Sequence, residues 1–372
     1  MPGTRLAPPL LFRRGGRGGR RIGCPTTTLS LRIPPTALTT PTTPDSAAPQ
    51  KPGMSNMWQR IISGVLGAVL LLGSIWYSGW TFGLFFGLVQ ARMLWEFYRM
   101  MKELNYKPAA IIGIGVSLLI FAAVYCIVNG WFFYSPLVLN GSLNSAASHY
   151  EFISIVDGAP PVPADAAWRV TIGHFLTVGT AALLFLLPII LIMREMFWWP
   201  REKQPFSPFP NVGVALLGLF YVTLPMSGLN VLAFTAGGYD YRRIFGLLFL
   251  VWAADTGAYI AGKNFGKHKL APSISPGKTW EGWVGGTLLT LGVGWALGYL
   301  IPEMPLVTRL VAALVVSVFG VLGDLAESML KRSVGVKDSG RILPGHGGLL
   351  DRFDAFLFVV PVLVVLQLLF GA

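Results

Sequence analysis

The sequence predicts an all-α polytopic membrane protein, a bundle of about nine transmembrane helices with a cytoplasm-facing polar cleft. Of the 372 residues, 53% are hydrophobic and only 12% are charged, and the mean hydropathy is +0.60. These values lie well outside the range of soluble globular domains. The polar motifs concentrate in the last third of the chain, which predicts that the functional residues lie there.

The N-terminal residues 1–57 have a different composition from the rest of the chain. They contain seven Arg and one Lys against the single acidic residue Asp45, in Arg-Gly and Thr-Pro stretches. Such a segment cannot bury a hydrophobic core. Two interpretations remain open: an organelle transit peptide, or a start assigned upstream of the true one at Met54 or Met57. We therefore predict a disordered tail over 1–57 and an integral-membrane domain over 58–372.

Nine apolar stretches have the length of a membrane-spanning helix, which needs about 20 mainly apolar residues. The first two form a hairpin, because only a short Tyr77-Ser78-Gly79 turn separates them. The predicted spans are 61–77, 79–95, 110–130, 172–193, 212–234, 244–262, 283–301, 306–322 and 353–371.

The distribution of basic residues predicts the orientation of the bundle, because cytoplasmic loops retain Lys and Arg. The loops after spans two, four, six and eight carry fifteen Lys and Arg, whereas the loops after spans one, three, five and seven carry three. This bias places the N-terminus and the 262–282 and 323–352 loops in the cytoplasm. It also accounts for the net charge of +12 without a nucleic-acid partner.

Other features of the chain exclude some kinds of site. Residues 131–171 predict an extracytoplasmic insertion between spans three and four. Cys24 and Cys126 alone cannot form a disulfide framework or a metal site, and the four histidines are too scattered along the sequence for a zinc motif.

The 262–282 loop, together with the span before it, carries the first group of candidate functional residues. Asp255 lies inside an apolar span, where a carboxylate costs about 2.5–3.5 kcal/mol on insertion scales and usually lines a polar cavity. Gly277-Lys278-Thr279 is similar to the end of a phosphate-binding P-loop, but that motif requires a glycine where Pro272 stands. What remains is a lysine between small residues that can approach a phosphate closely.

The 323–352 loop carries the second group. Asp324, Glu327, Ser328 and Lys331 share one face if span eight continues as a helix. The glycines at 345–348 offer backbone amides for phosphate oxygens. Asp351 and Asp354 lead into the last span, and carboxylate oxygens completed by phosphates and water are what magnesium accepts.

The segment 328–354 has the sequence SMLKRSVGVKDSGRILPGHGGLLDRFD. This pattern resembles that of the phosphatidate cytidylyltransferases, also called CDP-diacylglycerol synthases. The resemblance extends to 255–259, to 275–282, to Trp95-Glu96-Phe97 and to the run of spans, and it covers about 58–372. Gly277 stands where many members of the family have a second lysine.

The resemblance implies the reaction of CTP with phosphatidic acid to give CDP-diacylglycerol and diphosphate. It implies that Asp324 and Asp351 bind a catalytic Mg²⁺ and a companion cation such as K⁺, with Asp255 and Asp354 as further candidate ligands. Lys331 and Arg352 join the two aspartates as candidate catalytic residues. The remaining candidates, for substrate binding, are Ser275, Lys278, Ser328, Arg332, Lys337, Asp338, His346, Gly347 and Gly348.

Alternatives stay open at this point. The enzyme could transfer CMP to another lipid phosphate, and a lipid or ion transporter would also use intramembrane carboxylates, although the sequence has no related halves of the kind that transporters show. The expected partners are CTP, phosphatidic acid and membrane lipids, with a homodimer as a candidate assembly. The expected location is a bacterial inner membrane, or a plastid envelope if the tail is a transit peptide.

Overall fold

A computed structural model describes residues 56–130, 167–198, 208–235, 237–340, 342 and 347–370. All of them belong to the compact unit Met54–Ala372. The predicted tail over 1–57, apart from its last two residues, and most of the 131–171 insertion lie outside the described residues.

The described residues form helices at every predicted span, which confirms the all-α membrane fold. The helices are α1 (Asn56–Tyr77), α2 (Gly79–Glu103), α3 (Ala110–Val128), α4 (Ala167–Phe197), α5 (Phe209–Ala233), α6 (Tyr241–Phe265), α7 (Trp280–Ala296), α8 (Leu306–Val334) and α9 (Leu350–Phe370). Six of these, α3, α4, α5, α6, α8 and α9, are long and apolar enough to cross a membrane. Within α5, residues Leu219–Thr223 form a π-helical turn.

Two short antiparallel hairpins interrupt the helical architecture. Strand β1 (Phe234–Thr235) pairs with β2 (Gly238–Tyr239), and β3 (Lys269–Ala271) pairs with β4 (Ser275–Thr279). The second hairpin occupies most of the stretch for which the sequence predicted only a loop. Thr279 ends β4 and caps α7, because its Oγ1 accepts a hydrogen bond from the Gly282 backbone nitrogen at 3.1 Å.

The caps of other helices also follow from the sequence. Ser78 and Thr81 form a capping box at the start of α2, which explains how the short turn predicted after Tyr77 separates two helices. A C-terminal cap ends α8, where Gly335 adopts the left-handed conformation with φ +77°. This ending places Lys331 in the last turn of the helix rather than in a loop.

Helix α2 lies at the centre of the bundle, and its side chains Phe82, Phe86, Met93 and Leu94 are fully buried. A buried polar network holds α2 to α3 and α5. Gln90 Nε2 donates to Ser117 Oγ at 2.8 Å, Thr223 Oγ1 lies 2.9 Å from the same hydroxyl, and Ser227 Oγ donates to Gln90 Oε1 at 3.2 Å. Such hydrogen bonds between helices stabilise bundles in hydrocarbon, where the hydrophobic effect is weak.

Helices α6 and α7 approach each other closely through small residues. A Cβ atom at Gly257 would lie 2.9 Å from the Gly285 carbonyl oxygen, and one at Gly286 would lie 2.7 Å from the Ala254 carbonyl oxygen. Only glycine fits at these two positions. This contact fixes Asp255 on α6 relative to the start of α7.

Candidate active site

A polar cavity of about 930 Å³ lies where α6, α7, α8 and α9 meet, with β4 at its edge and α1 and α2 along one side. Its polar wall contains four aspartates, Asp255, Asp324, Asp351 and Asp354, together with the cations Lys263, Lys278 and Arg352. The rest of the wall is mainly apolar, with side chains such as Leu71, Phe85 and Val251. The cavity therefore combines a charged end with a surface suited to hydrocarbon.

Lys278 lies among the carboxylates at the charged end. Its Nζ atom is 2.7 Å from Asp324 Oδ2 and 3.4 Å from the Val321 carbonyl oxygen. The Lys278 side chain is 23% exposed and the Asp324 side chain is 41% exposed, so the pair faces the cavity and is open to a ligand. Asp255 and Asp354 interact electrostatically with Asp324 and with Lys278.

Asp351 is held by hydrogen bonds from three directions. Oδ1 accepts from Lys331 Nζ at 2.8 Å. Oδ2 accepts from the Gly348 backbone nitrogen at 2.8 Å and from the backbone nitrogen and Oγ of Ser339 at 3.0 and 2.9 Å. The carboxylate thus fixes Ser339 and Gly348 to the start of α9.

Lys331 also forms an ion pair with Glu327, whose side chain has no exposed surface. Helix α8 continues through Asp324, Glu327, Ser328 and Lys331, as the sequence predicted. The charged residues on this face have different partners, however. Asp324 pairs with Lys278, whereas Glu327 is buried against Lys331. The exposure of Asp324 to the cavity and the burial of Glu327 could not be predicted from their shared helical face, because both depend on which neighbours pack against each residue.

Glu96 on α2, which was not among the predicted site residues, is buried beside the partners of Asp351. Its side chain is 1% exposed, and its Oε2 accepts from the Leu350 backbone nitrogen at 3.0 Å and from Ser339 Oγ at 3.2 Å. Its Oε1 lies 3.3 Å from Arg92 Nε, the intrahelical pair that the spacing of the two residues indicates. A carboxylate in a largely apolar helix indicates a polar partner. The sequence could not identify the partners of Glu96, because they are about 250 positions away in the chain.

Two glycines make room for the Glu96 carboxylate. A Cβ atom at Gly340 would lie 2.5 Å from Glu96 Oε1, and one at Gly348 would lie 2.4 Å from Glu96 Oε2. Gly347 has φ +81°, a conformation that favours glycine. Gly340, Gly347 and Gly348 thus leave room for the carboxylates of Glu96 and Asp351, and the predicted role of Gly347 and Gly348 in phosphate binding stays a prediction.

The predicted site residues divide into three groups by position. Those that line the polar cavity are Asp255, Lys278, Asp324, Asp351, Arg352 and Asp354. Those that are described but lie outside its wall are Ser275, Ser328, Lys331, Arg332, Lys337, Asp338, Gly347 and Gly348. His346 lies outside the described residues.

The carboxylates could contribute to a metal site only in part. Among the described residues, no three His, Cys, Asp or Glu side chains are close enough to hold a metal ion together. Magnesium usually takes one or two carboxylates and completes its octahedron with water and substrate phosphates. The oxygen donors around the cavity fit that manner of binding and do not fit an all-protein cage.

The β3–β4 hairpin is joined to α7 by Glu281. Glu281 Oε1 lies 2.6 Å from His268 Nδ1, and Oε2 accepts from the Lys267 backbone nitrogen at 3.1 Å. Hydrogen bonds from its own backbone N–H and from His268 lower the pKa of the Glu281 carboxyl to about 2. An ionised Glu281 therefore holds the hairpin that carries Lys278.

Comparisons with known proteins agree on one family. Residues 58–370 match the family described as "Cytidylyltransferase family". The chain is 34% identical over 321 residues to the phosphatidate cytidylyltransferase of Bacillus subtilis (strain 168), an alignment that covers 86% of this chain and 100% of that protein. It is 57% identical over 169 residues to the phosphatidate cytidylyltransferase of Staphylococcus aureus (strain COL), an alignment that covers 44% of this chain and 62% of that protein.

Proposed function

Because the chain belongs to the cytidylyltransferase family, we propose that this membrane nucleotidyltransferase converts CTP and phosphatidic acid into CDP-diacylglycerol and diphosphate in phospholipid biosynthesis. The observation that carries the proposal is the polar cavity, in which Asp255, Asp324 and Asp354 surround Lys278 at one end of a mainly apolar wall. A substrate with a phosphate headgroup and two acyl chains needs both environments. The names of the relatives support phosphatidic acid as the acceptor.

In the proposed reaction a phosphate oxygen of phosphatidic acid attacks the α-phosphorus of CTP. The new P–O bond forms as the bond between the α-phosphorus and the α–β bridging oxygen breaks, and that bond's electron pair leaves with diphosphate. Such a step depends mainly on positioning and on neutralising negative charge. Both substrates are polyanions, so cations must bring them together.

Lys278 and Arg352 supply positive charge at the cavity wall. We assign Lys278 to a phosphate because its ammonium is partly exposed beside Asp324, so a phosphate oxygen can approach it from the cavity. Arg352 suits a second phosphate, since a guanidinium can bind two oxygens at once. Lys331, by contrast, holds Asp351 and Glu327, and we propose that it orients Asp351.

Asp324 and Asp351 are the proposed ligands of Mg²⁺, with Asp255 and Asp354 nearby and K⁺ as a candidate companion cation. The two carboxylates differ in how accessible their oxygens are to a metal ion. Asp324 is partly exposed to the cavity. In Asp351, Oδ2 accepts hydrogen bonds from Ser339 and Gly348, and Oδ1 accepts one from Lys331. A bound Mg²⁺ would neutralise phosphate charge and polarise the reacting phosphorus.

We propose that the cavity opens toward the cytoplasm of a bacterial cell, where CTP is available, and that its apolar wall admits phosphatidic acid from the membrane. The Lys and Arg bias of the loops supports this orientation. The bacterial relatives support the bacterial membrane over the plastid envelope. A homodimer also remains a proposal.

The test is formation of CDP-diacylglycerol by the purified full chain from labelled CTP and phosphatidic acid. Other lipid phosphates serve as competing acceptors, and Glu303→Gln, an exposed carboxylate beyond the cavity wall, is the matched control for Asp324→Asn. We expect product from phosphatidic acid, retained by the control and strongly reduced in Asp324→Asn. Product from another lipid phosphate but not from phosphatidic acid would contradict the proposed acceptor.

A further inference from the structure

A second cavity of about 400 Å³ lies between α5, α6, α8 and α9. Its wall is mainly aliphatic, with side chains such as Leu247, Leu250 and Leu363, and the charged side chains among the described residues that line it are Arg243 and Arg309. No acidic side chain lines this cavity in the described part of the chain.

The arginines of the second cavity lie far from the aspartates of the polar cavity along two of the helices. Arg243 precedes Asp255 on α6, and Arg309 precedes Asp324 on α8. At 1.5 Å per residue these separations are about 18 and 22 Å, a large part of the roughly 30 Å hydrocarbon thickness. A ligand in this cavity is therefore separate from the nucleotide site, and the inference does not rest on the proposed reaction.

The two guanidinium groups have donors that nothing in the described structure accepts. Arg243 Nε and Arg309 Nε are both buried without a hydrogen-bond partner there. Arg309 Nη1 does donate to the Trp295 carbonyl oxygen at 3.0 Å. A buried charged donor without an acceptor costs free energy, so an anionic ligand that accepts these two hydrogen bonds would stabilise this part of the bundle.

The neighbouring Arg242 differs from these two arginines because it pairs with carboxylates of the protein. Its Nε lies 2.9 Å from Asp240 Oδ1, and its Nη1 lies 3.1 Å from Glu303 Oε1. One arginine beside the cavity is thus neutralised by protein carboxylates, whereas neither arginine in the cavity wall pairs with a carboxylate of the described residues.

We infer that this cavity binds an anionic phospholipid, whose phosphate takes the free donors of Arg243 and Arg309 and whose acyl chain lies against the aliphatic wall. Guanidinium groups match phosphate oxygens in geometry and charge, and basic pockets between membrane helices bind anionic headgroups. The volume falls within the range of about 300–1,000 Å³ of ordinary ligand sites. Free phosphate would satisfy the arginines but would leave the aliphatic wall without a partner.

The test measures retention of phosphatidylglycerol by the purified full chain in detergent, using native mass spectrometry with phosphatidylcholine as competitor. We expect phosphatidylglycerol to be retained over phosphatidylcholine. The double variant Arg243→Gln, Arg309→Gln should lose about tenfold or more of that preference, whereas Arg242→Gln should keep it. Lys278→Met should also keep it, because that substitution affects only the polar cavity.

Two outcomes would overturn the inference. Equal retention of both lipids by the unchanged chain would exclude an anionic-lipid site, whether or not the double variant folds. Displacement of phosphatidylglycerol by an equal concentration of inorganic phosphate would show a phosphate site without a lipid component. Gel filtration and CTP turnover check the fold of the double variant, since neither arginine lines the polar cavity.

Discussion

The Oε2 atom of Glu96 on α2 lies 3.0 Å from the backbone nitrogen of Leu350, the first residue of α9. The same oxygen lies 3.2 Å from Ser339 Oγ, which in turn donates to Asp351 Oδ2 at 2.9 Å. A buried carboxylate of the second helix therefore positions the segment that carries Asp351.

Replacing Glu96 tests this positioning role. Glu96→Ala leaves the buried backbone N–H of Leu350 without an acceptor, which costs about 1–3 kcal/mol. We expect kcat to fall about 10- to 100-fold with a smaller change in KM for CTP. Glu96→Gln, which keeps an acceptor oxygen, should recover part of the activity, and the exposed Glu103→Gln on the same helix should be neutral. A change in KM alone would contradict the positioning role.

Replacing Lys278 tests the assignment of a cation to substrate phosphate. Lys278→Met removes the positive charge beside Asp324, so we expect kcat/KM for CTP to fall about 100-fold, in the range of lost charged contacts. Steady-state kinetics with labelled CTP give the measurement. Lys267→Met serves as control because its side chain is exposed and does not line the polar cavity. Equal losses in both variants would indicate a general charge effect instead.

Removal of divalent cations tests the proposed metal ligands. We expect a chelator to abolish turnover and added Mg²⁺ to restore it, because oxygen donors at the cavity fit partial coordination of Mg²⁺. Asp324→Asn should raise the Mg²⁺ concentration needed for half-maximal turnover by about tenfold or more. A Mg²⁺ dependence unchanged in Asp324→Asn, with activity retained, would remove Asp324 from the metal site.

The hairpin that carries Lys278 should loosen in acid. The pKa of Glu281 is lowered from 4.5 to about 2 by its hydrogen bonds, so its stabilising effect is fully present above pH 4.5 and is lost as the pH falls toward 2. Hydrogen exchange of the Lys267 and His268 amides, compared at each pH between the unchanged chain and Glu281→Gln, measures the effect. We expect protection to differ at pH 6 and to converge near pH 2. A constant difference over this range would contradict the assignment.

The close contact of α6 and α7 predicts a steric effect on stability. Gly286→Val would push side-chain atoms against the Ala254 carbonyl oxygen, and overpacking of this kind costs about 1–3 kcal/mol. We expect a lower Tm in detergent. Gly292→Ala on the same helix is the control, because its Cβ would meet nothing within 4 Å. By helix propensity alone both substitutions should stabilise the helix, so an unchanged Tm in Gly286→Val, or an equal loss in Gly292→Ala, would contradict the steric explanation.

The fold could be predicted from the sequence because each span carries its own hydrophobic signal. Asp255, Lys278, Asp324 and Asp354 could also be identified, since charged residues at the edges of apolar segments are costly and therefore informative. The link from Glu96 to Leu350 could not, because it joins positions whose proximity depends on tertiary packing. The pairing of Lys331 with Asp351, and the use of the Gly348 amide by Asp351, depend on packing in the same way. The cytoplasmic orientation stays a prediction.

Helices α7 and α9 both begin at the polar cavity, where Thr279 and Gly282 of one and Asp351 and Asp354 of the other form part of the wall. The aligned peptide dipoles of a helix place roughly half an elementary positive charge at its N-terminus. If CTP binds in this cavity as proposed, part of the attraction for its phosphates belongs to the backbone, does not titrate with pH and survives the loss of any lysine or arginine. Charge-removing variants of this site should keep a residual affinity for CTP that high salt weakens.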